Sequence, residues 1–134
     1  MPFLSVLMIR TALVYFFAGG TFGSLLLAGK GSLLGGILWR YLPLHSEALL
    51  FGFLIQFIFG VAFWMFPRMA SGPPRGNENL VWISFGLLNF GIVITFCGMT
   101  LGLGFAYIVG ACLECGSILF FAMHAWPRVK AFGK

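Results

Sequence analysis

The sequence predicts an all-α integral membrane protein with four transmembrane helices and both termini in the cytoplasm. Composition is the first observation behind that expectation. Of 134 residues, 60% are hydrophobic, 18% aromatic and only 8% charged, with a mean hydropathy of +1.03. A soluble domain carries about 25% charged residues. The second observation is segmentation. Four apolar runs approach or exceed the roughly 20 residues that a helix needs to cross a hydrocarbon core. The third is where the cations fall. With an even number of spans both termini share a side, and Arg10, Arg68, Arg75, Arg128, Lys130 and Lys134 collect on it, against Lys30 and Arg40 opposite. The positive-inside rule makes the richer side cytoplasmic. The whole chain, 1–134, then forms one four-helix transmembrane domain, most simply in a prokaryotic inner membrane. Its net charge of +5 sits at helix ends, where anionic headgroups lie. The lipid bilayer is therefore the expected partner, and nucleic acid is not.

The first span is expected over residues 7–28. Its apolar run is too long for a secretory h-region, so it is read as a retained helix. Arg10 near its start can snorkel to the headgroups. Gly19 and Gly23 form a GxxxG spacing, which predicts a helix-packing seam. Residues 29–41 are apolar but broken by glycines and too short to span. Trp39, Arg40 and Tyr41 suit an interfacial segment at headgroup level.

The second span, 43–66, has Pro43 in its first turn and Pro67 just past its end, where helices tolerate proline. His45 follows directly, near the outer face. On a helix His45, Leu49, Gly52, Gln56, Gly60 and Phe63 share one side. Glycines beside an imidazole leave room for a flat group or for another backbone. A haem b fits that room, with His45 as metal ligand and Gly52, Gln56 and Gly60 beside the ring. A headgroup-level histidine fits it equally. Glu47 lies in the same first turn, where a helix N-terminus favours a carboxylate. It either caps or orients a neighbouring group.

Residues 67–79 form the aqueous loop, and spans three (80–99) and four (103–126) must be an antiparallel hairpin. Glu114 lies near mid-membrane, where an ionisable residue is a functional-site candidate by default. It must be protonated or paired, with Asn89 the nearest expected partner and Gln56 the next. Proton transfer and a register-fixing polar pair are both open. His124, one turn before the basic tail, reads as an interfacial residue and a possible second site with Glu47. Cys112 and Cys115 have a CxxC spacing but lack further ligands for zinc.

Residues 45–68, with His45, Leu49-Leu50-Phe51-Gly52-Phe53, Phe59-Gly60 and Phe66-Pro67-Arg68, resemble the second transmembrane helix of haem-copper oxidase subunit I and of NnrS-type membrane proteins. A weaker likeness runs over 77–94, so about a third of the chain is covered. The resemblance implies that His45 is an axial ligand of a low-spin haem. Those oxidases have twelve core helices in three bundles of four, so it also implies a homotrimer. The chain lacks their copper-ligand histidines and histidine–tyrosine pair. Electron transfer or diatomic-gas binding, with a quinone or redox partner, is therefore the expected function. A thiol-disulfide/quinone oxidoreductase using Cys112 and Cys115, and a non-catalytic assembly subunit, are the alternatives.

Overall fold

Pro2 sits in extended backbone ahead of α1 (Phe3–Gly29), and its carbonyl accepts the first helical bond, from Val6 N. The helix therefore starts four residues before the expected 7. The computed structural model describes residues 1–31, 35–69 and 72–129. Among them are four helices long and apolar enough to cross a bilayer. Ser32, Ser71, Lys130 and Lys134 lie outside the described residues.

The second span differs most from expectation. Residues 35–41 are not an interfacial piece separate from it. α2 (Gly35–Leu38), a 3-10 turn (Trp39–Tyr41), α3 (Leu42–Glu47), a π-wound stretch (Ala48–Ile55) and α4 (Gln56–Met65) follow one another directly. Together they form one rod, Gly35–Met65. Pro43 is accommodated because it falls in the first turn of α3, just after the tighter 3-10 turn. The consequence is depth: His45 and Glu47 lie several turns into the rod instead of in its first turn.

The remaining two helices are a hairpin, as expected. Asn77 caps α5 (Glu78–Leu101) by accepting from Asn79 N at 3.1 Å, and Glu78 occupies the first turn. Gly102 ends it in the left-handed conformation, φ 70°. α6 (Gly104–Ala125) runs back and tightens into a 3-10 turn, Trp126–Arg128. Small residues let the two helices touch. A Cβ on Gly110 would collide with Thr95 Oγ1, and one on Gly91 would lie 2.8 Å from Glu114 Cγ. The hydroxyls of Ser84 and Ser117, both fully buried, donate to each other's carbonyls at 2.9 and 2.8 Å.

α1 lies along the second span, and a core of Leu4, Met8, Phe59, Phe63, Val81, Leu88, Ile92 and Phe121 joins all four spans. Phe59 and Phe121 stack with centroids 4.0 Å apart. Outward faces are apolar as well: Phe17, Phe90, Phe105 and Leu119 are exposed, as lipid contact requires.

Candidate functional site

Two of the interior polar systems meet at one cavity. The first begins at Gln56, fully buried, whose Nε2 donates to Met8 O at 3.4 Å. Its Oε1 accepts from Asn89 Nδ2 at 2.8 Å, and Asn89 Oδ1 accepts from the Tyr15 hydroxyl at 3.3 Å. This chain ties α1, α4 and α5 together. Asn89 and Gln56 thus pair with each other, and the expectation that either would serve Glu114 is corrected.

The second system holds Glu114, which is 2% exposed. Thr95 Oγ1 donates to its Oε1 at 2.9 Å. The carboxyl of Glu47, from the second span, lies within hydrogen-bond reach of the Glu114 carboxyl. Glu47 is therefore neither a helix cap nor a headgroup-level residue, because the span begins at Gly35 and carries it inward. Glu47 Oε1 is buried and has no hydrogen-bond partner. Beside it lies a pocket of about 300 Å³ lined by Tyr15, Ala18, Gly19, Phe22, Leu44, Glu47, Ala48, Ile92 and Phe96. Tyr15 and Glu47 thus bring the two polar systems to one cavity.

The side of the second span that carries His45, Gly52, Gln56 and Gly60 is real, and α1 covers it. A Cβ on Gly52 would lie 2.5 Å from Tyr15 Cγ, and one on Gly60 would lie 2.9 Å from Ile9 Cγ1. The hydroxyl of Ser5 donates to Gly60 O. The room reserved there for a porphyrin, and for a protomer interface, is filled within the chain. The GxxxG seam does the same from α1: Gly19 receives Leu49, and Gly23 receives the His45 ring. His45 Nδ1 is 2.8 Å from Gly19 O, so Nδ1 carries the proton and Nε2 keeps its lone pair. That is the tautomer an axial ligand needs. The ligand atom fits a haem; the walls it would need are absent from this face, and the pocket beside Glu47 is too small for a porphyrin. Among the described residues, no group of three or more His, Cys, Asp or Glu side chains could hold a metal ion.

His124, 2% exposed, has both ring nitrogens engaged: Nδ1 with Asn77 O at 3.1 Å and Nε2 with Arg128 Nη1 at 2.8 Å. An arginine can only donate, so Nε2 accepts and Nδ1 donates. This histidine is a structural tie at the end of the bundle that holds Asn77 and Pro67. It lies far from His45, which packs on the opposite half of α1. Arg128 continues the tie, with Nη2 donating to Phe66 O at 3.0 Å and Nε to Pro67 O at 3.3 Å. Cys97, Cys112 and Cys115 are free and exposed, and α6 turns Glu114 inward while its two cysteines face outward.

Sequence reasoning missed Tyr15, Thr95 and Arg128 as site or tie residues. Each is a single polar group in an apolar run, with no spacing signal of its own. Glu47 was legible only as a first-turn carboxylate that caps or orients a neighbouring group; its depth and its partner Glu114 were hidden. No protein-family model matches this chain, and neither a curated protein nor a solved structure matches it. The fold and the site therefore stand on the chain's own geometry: a four-helix membrane bundle with a carboxyl pair in its interior.

Proposed function

We propose that this chain is a proton-handling membrane protein whose working group is the Glu47–Glu114 pair. The observation that carries the reading is two carboxyls from different spans within hydrogen-bond reach inside the bundle. Two carboxylates at that separation repel each other, and hydrocarbon solvates neither, so one proton shared between them is the low-energy state. Thr95 donates to Glu114 and holds that carboxyl facing Glu47. The proton is shared by the pair, one carboxyl donating to the other. A proton bound between helices is released when they part and regained when they close, which is the elementary step of proton-coupled transport. The basic-residue asymmetry supports cytoplasmic termini, and the setting we propose is a prokaryotic inner membrane.

Infrared spectroscopy of the protein in lipid tests this. The sequence has only three acidic side chains, Glu47, Glu78 and Glu114, so assignment needs few variants. At neutral pH the wild type should show a protonated-carboxyl C=O band that changes in both Glu47→Gln and Glu114→Gln and is unchanged in Glu78→Gln. Both variants should assemble, because glutamine keeps size and hydrogen-bonding capacity. A wild-type spectrum without that band would sink the reading.

A second reading, a haem-b protein for electron transfer or gas binding, is favoured by the His45 tautomer, which leaves Nε2 as a lone-pair donor. When bound, haem would supply the redox or gas-binding chemistry. His45 would hold the iron, Gly19 O would orient the ring, and the porphyrin walls would come from further copies of the chain. Three copies would match the twelve-helix count of the resemblance. Pyridine haemochrome analysis decides it: His45→Ala should lose haem that His124→Ala retains, and a wild type purified from haem-replete cells without haem removes the reading.

A further inference from the structure

We infer that α3 turns as a crank about the axis of the second span, carrying Glu47 between its pairing with Glu114 and the exposed side where Ser46 stands. This rests on the proton-handling reading and adds the movement that regulates the pair. The rod is wound unevenly on the two sides of α3. The tight 3-10 turn Trp39–Tyr41 precedes it, and the wide π stretch Ala48–Ile55 follows. Bonds from i to i+5 let the π stretch hold one residue more than α winding of the same length. Rewinding it as α turns the upstream chain by one residue, about 100° with a shift of about 1.5 Å along the axis. Relaxing the 3-10 turn to α rotates in the opposite sense, so Gly35–Leu38 moves less than α3. Downstream, α4 is anchored: Gln56 bonds Met8 O and Asn89, and Phe59 stacks on Phe121.

Each residue in the turned rod takes the place of its predecessor, and the replacements fit. Ala48 takes the place of Glu47, and Ser46 that of His45. His45 Nδ1 donates to Gly19 O at 2.8 Å, and a serine hydroxyl is a donor for the same carbonyl. The present bond of Ser46, to Leu42 O, is long at 3.4 Å. Leu50 replaces Leu49 against Gly19, so leucine fills that seam in both registers. Two replacements add bulk, His45 in the place of Leu44 and Leu49 in that of Ala48. Both places line the pocket of about 300 Å³ between the second span, α1 and α5, which supplies room that a close-packed interior lacks. Glu47 takes the place of Ser46, which is exposed. Helical side chains lean toward the helix N-terminus, so from there its carboxyl reaches toward the Gly35 end of the rod.

The protons balance. The pair carries one proton and one negative charge. On parting, Glu114 keeps the proton in its buried site and Glu47 takes the charge out of the interior. At the exposed side Glu47 takes up one proton from water and returns with it. On a later excursion it gives one up, so protons entering and leaving are equal and the pair's own proton is replaced.

The test places spin labels at Leu42→Cys and Phe105→Cys, both exposed positions, in the full chain lacking Cys97, Cys112 and Cys115 and held in lipid nanodiscs. Double electron–electron resonance should show two distance populations. Deleting Leu50, an exposed residue of the π stretch, removes the extra residue while keeping Glu47 and Gln56 in place. That deletion should leave one population and an intact infrared band, and should slow deuterium exchange of the band at least tenfold. Glu114→Leu and His45→Ala each remove a bond of the paired register, so each should enlarge the second population at least twofold. Ser46→Ala should shrink it. These point variants read the movement independently of the deletion. One unmoved distance across wild type, Glu114→Leu and His45→Ala overturns the crank and leaves the proton reading standing. Exchange as fast in the Leu50 deletion as in wild type overturns it as well. Absence of the band in wild type removes the proton reading itself, and with it the role of the crank.

Discussion

Arg128 is a cation with 2% exposure and no carboxylate among its hydrogen-bond partners; its donors instead meet two backbone carbonyls and an imidazole. The carbonyls belong to Phe66 and Pro67, where α4 has ended and its last acceptors lack helical partners. A planar fork reaches several such acceptors at once, and the rings of Phe63 and Phe66 lie 5.7 and 5.6 Å from its centre. Arg128→Met should therefore destabilise the bundle by about 2–4 kcal/mol, since it strands those acceptors in a buried site. Arg128→Lys should recover only part of that, because an ammonium lacks the fork. Unfolding in mixed detergent micelles measures both, and a methionine variant within about 0.5 kcal/mol of wild type would remove the tie from the account. Nothing local in the sequence marked this arginine as different from Arg68 or Arg75. Glu114 was legible, because any carboxylate in an apolar run must be neutralised or paired. Its partners were not, because choosing between Asn89, Thr95 and Glu47 requires the rotational phase of three helices at once.

At the scale of elements, the spans were legible and their ends were less so. Hydropathy counts residues in hydrocarbon, and it located all four crossings. It does not locate where a helix begins outside the apolar run, so α1 starts earlier, at Phe3, and the second rod at Gly35. The latter error had a functional cost. Pro43 suggested a helix start, yet a 3-10 turn ahead of a proline continues the rod without the bond that proline cannot make. Moving the start to Gly35 carries Glu47 from the headgroup level to the depth of Glu114. The π winding over Ala48–Ile55 follows immediately. Its sequence, ALLFGFLI, is apolar on every side, so no periodicity betrays a change of winding. The stretch lies directly after Glu47 and against Gly19 and Tyr15 of α1. Wide turns of this kind recur at functional sites, and this one adjoins both the carboxyl pair and the pocket.

At the scale of the whole molecule, function depends on which end of the bundle faces which compartment. The Arg128 tie, Asn77, Pro67 and the start of α1 share one end, because Ser5 bonds Gly60 O and Phe3 packs on Trp82. Arg10, Arg68, Arg75 and Arg128 belong to the half of the bundle at that end, and Lys30 and Arg40 to the other. Positive charge resists translocation, so the first end should be cytoplasmic, and the mouth of the Glu47 pocket should lie nearer the outer half of the bilayer. Single reporters Ser32→Cys and Ser71→Cys, in a background lacking Cys97, Cys112 and Cys115, test this with a membrane-impermeant thiol reagent on intact cells. Ser32→Cys should label from outside. Ser71→Cys should label only after the membrane is opened. The reverse pattern would invert the molecule. Labelling of both from outside would mean an even number of crossings between them, which the single rod Gly35–Met65 forbids; that result would therefore overturn the fold and not only its orientation.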